Sequence, residues 1–158
     1  MMTDATNSKL VQDVMDAVGS LGMPYPSRPQ EMPEMPADLS TITSEELSRL
    51  MGQFSALIAY AQVKVAEADT FMAAKKSKYE IARASTYLAL KADERMTEKQ
   101  REYSLEVNKD LMPLKREYVQ AEQVYELTKA LLSGYQQKYA VLSRELTRRG
   151  VSAERGYA

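Results

Sequence analysis

The chain has 158 residues and a formal net charge of −1, and it contains no Cys, His or Trp. Without Cys there is no disulfide, thiolate nucleophile or thiolate metal ligand, and without His the usual general base and the commonest metal ligand are missing. We therefore predict a protein that is not an enzyme and that holds neither a metal nor a cofactor.

The charge is unevenly distributed along the chain. Residues 1–46 carry eight acidic and two basic residues, a net charge of −6, whereas residues 47–158 carry fourteen acidic and nineteen basic residues, a net charge of +5. An acidic tail on a basic body is common in proteins that meet nucleic acid, although a need for solubility can produce the same pattern.

No stretch of the sequence predicts a membrane protein. The longest apolar run, residues 56–61, is far too short to cross a bilayer. Asp4, Asp13 and Asp16 stand where a signal peptide would carry basic and then apolar residues. The sequence therefore predicts a soluble, cytoplasmic protein without a membrane partner.

Residues 8–18 have the pattern of a short amphipathic helix. Ser8 can cap its start, and Gly19 and Gly22 can end it. Its apolar face consists of Leu10, Val11, Val14, Met15 and Val18. Docking on its own chain explains this face; the alternative is a tethered peptide for a partner's groove, which makes these five the candidate partner-binding residues.

Residues 23–39 contain five of the six prolines of the chain. Because proline lacks the backbone donor that helices and sheets need, this stretch is predicted to be an extended linker with no contribution to the core. We expect residues 1–42 to form a largely disordered, acidic tail.

A long helix is predicted to begin after Thr43, which with Glu46 forms a capping box, while Ile42 and Leu47 form a hydrophobic staple. Apolar residues then recur in steps of three and four. This seam consists of Leu47, Leu50, Phe54, Leu57, Ala61, Ala68 and Phe71. The pattern continues towards Leu90, which predicts one long helix that packs on another.

A connection over residues 93–110 leads to a second long helix. Thr97 and Gln100 predict a short helix inside the connection, and Asn108 or Asp110 can cap the helix that follows. Its seam consists of Leu111, Leu114, Tyr118, Ala121, Tyr125, Leu132, Tyr135, Tyr139, Leu142 and Leu146, with Thr128 in the one gap. Gly150 is predicted to end this helix in the left-handed conformation, with Arg148 and Arg149 complementing its negative end.

Together these signals predict an all-α fold. Residues 43–150 are expected to form a long antiparallel, coiled-coil-like helical hairpin with a short connecting helix, and residues 151–158 a flexible C-terminus. Two helices alone leave apolar edges exposed, so we expect a homo-oligomer.

The second half of the first long helix is rich in basic residues. The candidate DNA-binding residues are Lys75, Lys76, Lys78 and Arg83, with Tyr79 and Tyr87. Such cations bind phosphates, and aromatic rings stack on the bases of single strands. An ordinary solvated helix face, partly neutralised by Asp69 and Glu80, explains the same residues.

Several of these residues occur in an order that resembles a known family. The order is Ala74-Lys75-Lys76, then Ala82-Arg83, Tyr87 and the stretch from Asn108 to Lys115, which precedes a Tyr- and Leu-rich helix with a basic end. Over roughly residues 43–149 this resembles the phage recombination mediators of the UvsY type, although the acidic, proline-rich N-terminus departs from that family.

The resemblance implies a non-enzymatic mediator that forms helical oligomers in the host cell cytoplasm. It would bind single-stranded DNA through Lys75, Lys76 and Arg83 and load a RecA-type recombinase against single-strand-binding protein. Two other functions fit the same sequence: a structural or assembly protein of a virion, such as a scaffold or connector, and a helical adaptor or inhibitor that engages a host protein through residues 8–18.

Overall fold

The computed structural model describes residues 3–22 and 25–155, with side chains over residues 9, 12–22 and 25–150. These residues form helices and connecting segments and contain no β-strand. The helices are α1 (Thr3–Ser20), a short 3₁₀ helix (Leu39–Thr41), α2 (Ser44–Lys91), α3 (Glu98–Glu106) and α4 (Leu111–Arg155). The predicted all-α fold is confirmed, and the long helices α2 and α4 pack against each other.

The chain divides into two compact units, each of which contains part of α2 and part of α4. The first unit comprises Met1–Val18 and Ala66–Leu127, and the second comprises Gly19–Val65 and Thr128–Ala158.

The second unit has an apolar core. Leu47, Phe54 and Leu57 of α2 are buried together with Leu142 of α4. Tyr135, Tyr139 and Leu146 pack against this cluster from α4. All of these residues belong to the two predicted seams, so the three–four spacing correctly identified the faces that meet.

Part of the proline-rich stretch belongs to this core. Met35, Leu39 and Ile42 pack against the buried cluster, and we call residues 35–42 the strap. Arg149 of α4 holds the strap, since its Nη1 donates to the carbonyl oxygen of Ile42 at 2.7 Å and its Nη2 donates to that of Leu39. The prediction that the linker contributes nothing to the core is therefore wrong at Met35 and Leu39, because both side chains pack against the buried cluster and Leu39 begins a 3₁₀ helix.

The predicted start signals of α2, α3 and α4 are confirmed. At α2, the backbone N–H of Glu46 donates to Thr43 Oγ1 at 3.1 Å, and the Glu46 carboxylate accepts from the Thr43 N–H at 2.8 Å. Thr97 and Gln100 form the same reciprocal box at α3. Asn108 caps α4, because its Oδ1 accepts from the N–H of Leu111 at 3.1 Å.

The start of α1 and the end of α4 differ from the predictions. α1 begins at Thr3 rather than Ser8, and Gly22 adopts the left-handed conformation after it, with φ of 74°. α4 continues through Gly150 to Arg155. The predicted left-handed cap at Gly150 is therefore wrong. Residues 151–155 are helical, the flexibility of residues 151–158 stays a prediction, and residues 156–158 lie outside the described part of the chain.

The first unit contains most of α1, the second half of α2, α3 and the first half of α4. Among its described side chains, the buried apolar ones are Leu105, Leu111 and Ala121. Its helices also meet through the ion pairs Lys75–Glu117 and Arg83–Glu102, the Tyr87–Glu98 hydrogen bond and the stacked rings of Tyr79 and Tyr118. Polar groups therefore contribute more to its packing than to that of the second unit.

Candidate nucleic-acid interface

Lys75, the first residue of the predicted basic cluster, is buried. Only 4% of the Lys75 residue surface is exposed to solvent. Its Nζ lies 2.8 Å from Glu117 Oε2 of α4 and 5.2 Å from the centre of the Phe71 ring. The hydrogen bond from Lys75 holds the pKa of Glu117 below its ordinary value. Lys75 therefore does not face solvent as a phosphate-binding lysine would. The seam explains why, because the three–four series reaches Lys75 four residues after Phe71.

The other cations of the cluster lie closer to solvent, but acidic side chains accompany them. Arg83 Nη2 lies 3.0 Å from Glu102 Oε2, and the Arg83 side chain is 46% exposed. Lys76 Nζ lies 4.0 Å from Glu80 Oε1, and the Lys76 side chain is 52% exposed. Lys78 is half-buried. Exposed pairs of this kind contribute little to stability, so these cations can exchange partners.

The two candidate stacking residues already have partners within the first unit. The ring of Tyr79 stacks on that of Tyr118, with centres 6.3 Å apart and planes inclined by 11°. Tyr87 donates its hydroxyl proton to Glu98 Oε1 at 3.0 Å, and this hydrogen bond raises the pKa of Tyr87. A base that stacked on either ring would compete with these contacts.

A groove of about 460 Å³ lies between α2 and α3 of the first unit. Its charged lining residues are Glu80, Glu98 and Glu102 together with Arg83. Three carboxylates around one guanidinium give the groove a negative balance, which disfavours a phosphate and favours a cation. The structure thus places Arg83 and Tyr87 along one groove, but it surrounds them with Glu80 of α2 and with Glu98 and Glu102 of α3, and the two α3 acids lie outside the basic stretch of the sequence.

Lys115 is a cation outside the predicted set. It is exposed, and it lines a recess of about 30 Å³ together with Tyr79 and Arg83. Only the pairing of α2 with the start of α4 brings these residues together, since 32 positions separate Arg83 from Lys115 in the sequence.

The predicted partner-binding face on α1 is described only in part. Val14 is 42% exposed, and Met15 and Val18 are partly exposed. The side chains of Leu10 and Val11 lie outside the described residues. Binding of a partner by this face stays a prediction.

Two further observations concern the described residues alone. The described residues contain no group of three or more acidic side chains placed to hold a metal ion. None of the helices within them is both long enough and apolar enough to cross a membrane.

The chain matches none of the protein-family models, curated proteins or solved structures with which it was compared. The resemblance to the UvsY-type mediators stays a prediction, as does DNA binding by the six candidate residues.

Proposed function

We propose that this protein is a non-catalytic helical assembly protein that associates with further copies of itself through its first unit. One observation carries the proposal: large apolar side chains of this unit are exposed on α2, on α3 and the residue that follows it, and on α4. They are Ile81 (68% exposed), Leu88 (65%), Tyr103 (66%), Val107 (50%), Met112 (50%), Val119 (37%), Val124 (51%) and Leu127 (64%). Large exposed apolar side chains that share one helix face are typical of protein contact sites.

The placement of these residues along the helices supports the proposal. Ile81 and Leu88 are seven residues apart on α2, so they lie on the same face two turns apart. They are more exposed than any residue of the α2 seam, which means that the intrachain pairing with α4 does not use them. A helix with a second apolar face gains stability when another helix covers that face.

Light scattering on the full chain tests this proposal. We expect a mass severalfold above the chain mass of 17.8 kDa at micromolar concentration. Replacing Ile81 and Leu88 together with Gln should lower that mass and leave the circular dichroism spectrum unchanged. Ser48→Gln with Ser55→Gln is the matched control, because these exposed residues are also seven apart on α2 but lie in the second unit. A wild-type monomer at micromolar concentration would contradict the proposal.

A second candidate function is that of a single-stranded-DNA-binding recombination mediator with a RecA-type recombinase and single-strand-binding protein as partners. The observation in its favour is that Lys76 and Arg83 remain about half-exposed and that Lys115 lies near Arg83. The acidic groove and the partnered tyrosines weigh against it, which is why it stands second.

A salt series with a single-stranded oligonucleotide separates the two functions. If DNA contacts both lysines, Lys76→Ala with Lys78→Ala should weaken binding and flatten the log–log salt dependence by about 1.4, at roughly 0.7 per lost phosphate contact. Arg49→Ala with Arg144→Ala removes the same charge from exposed positions of the second unit and should leave binding unchanged. Identical curves for both variants and wild type would eliminate these lysines as the DNA contact.

A further inference from the structure

A cavity of about 240 Å³ lies in the second unit, between α2, α4 and the proline-rich stretch that precedes the strap. Its position follows from the sequence of the two seams. Ala61 of α2 and Thr128 of α4 both line it, and each is smaller than a neighbour on its own seam, Leu57 on α2 and Leu132 on α4. Two small residues in facing seams leave a space that neither helix fills.

The lining combines apolar surface with positive charge. Leu57 and Leu131 contribute aliphatic surface, and Tyr60 and Tyr135 contribute aromatic rings. Arg28 and Lys64 also line the cavity, and the Nζ of Lys64 lies 5.5 Å from the centre of the Tyr60 ring. None of the ten described lining residues is acidic. An apolar space edged by cations complements a ligand with an apolar body and a negative group.

We propose that this cavity binds a small organic anion, an aromatic ring or short acyl chain that carries a carboxylate or a phosphate. The volume sets the size of the ligand, because a cavity of about 150 Å³ holds benzene and drug-sized ligands occupy roughly 300–1,000 Å³. The apolar body of the ligand lies against Leu57 and Ala61, which are only 4% and 7% exposed, and its anionic group lies towards Arg28. This ligand site is separate from the first unit and does not depend on the function proposed for that unit.

Methyl NMR titration of the full chain with benzoate, phenyl phosphate and neutral benzamide tests the proposal. We expect saturable shifts of the Ala61 and Leu131 methyl signals with at least one anion and a weaker response to benzamide. The stronger of the two anions identifies the charged group. If no compound shifts these signals, or if benzamide binds as tightly as both anions, the proposal is overturned.

Two variants make the result specific to the cavity. Thr128→Leu places a large apolar side chain in the space and completes the α4 seam, so it should abolish the titration while the thermal unfolding temperature is maintained or raised. Arg28→Gln should weaken binding of the anions about twofold to fivefold, because Arg28 is exposed and its charge is screened. Arg49→Gln in the same unit, outside the cavity, should change nothing. Unchanged binding in Thr128→Leu would show that the compounds bind elsewhere and would overturn the proposal.

Discussion

The two units contain parts of the same two helices, yet they are held together differently. In the second unit, Leu47, Phe54 and Leu142 are fully buried, and the strap covers one side of them. In the first unit, a lysine occupies a seam position and pairs with Glu117, while large apolar residues such as Ile81 point to solvent. The same helix period therefore gives an apolar core in the second unit and a buried ion pair in the first, because different residues occupy the seam.

The largest difference should appear when apolar side chains are truncated. Phe54→Ala removes a fully buried ring from the second unit and should lower the free energy of unfolding by about 3–5 kcal/mol. Ile81→Ala removes a 68% exposed side chain from the first unit and should cost less than about 0.5 kcal/mol in the unassociated chain. Urea unfolding at low protein concentration measures both, and equal losses would contradict the contrast between the units.

A smaller effect should come from the buried pair of the first unit. Glu117→Gln leaves the Lys75 charge buried without its partner and should cost about 2–3 kcal/mol. Lys75→Met keeps the contact with Phe71 and leaves Glu117, whose side chain is 35% exposed, to be hydrated, so we expect a loss of about 1 kcal/mol or less. Comparing the two unfolding curves checks the asymmetry; a greater loss in Lys75→Met would mean that Lys75 is not the more deeply desolvated partner.

The strap of the second unit should depend on Arg149. Arg149→Gln removes the donors to the carbonyl oxygens of Leu39 and Ile42 and should cost about 1–3 kcal/mol. Arg148→Gln is the control, because the Arg148 side chain is 64% exposed, and it should cost less than about 1 kcal/mol. Hydrogen exchange of residues 39–42 provides a local readout. Unchanged protection in Arg149→Gln would contradict the role of this arginine.

The smallest expected effect is on the loss of folding stability at low pH. Hydrogen bonds from Arg148 and Arg149 lower the pKa of Glu145 from 4.5 to about 2. Because the folded-state pKa is depressed, the ionised carboxylate stabilises the fold above pH 4.5, and this contribution is lost as the pH falls towards 2. Glu145→Gln should therefore show a weaker loss of stability between about pH 6 and about pH 3 than wild type. Glu45→Gln, at an exposed position of the same unit, is the control, and parallel curves for all three proteins would contradict the prediction.

Local sequence patterns determined most of the helical architecture. The capping residues Thr43, Thr97 and Asn108 act on neighbours within three positions, so their hydrogen bonds can be read from the sequence. The seams were predictable for the same reason, since a helix of fixed period assigns each residue to a face. All predicted seam residues of α4, from Leu111 to Leu146, are buried or partly buried.

Contacts between distant residues were decided only by the tertiary structure. Composition classed Met35 and Leu39 as linker, but their burial depends on a core formed by residues elsewhere in the chain, and Arg149 reaches Leu39 across 110 positions. Lys75 was assigned to a phosphate-binding face by its charge, whereas the helix period placed it on the seam opposite Glu117, 42 positions away. Sequence spacing fixes which face a side chain occupies, but only the packed helices decide which partner neutralises its charge and whether water can reach it.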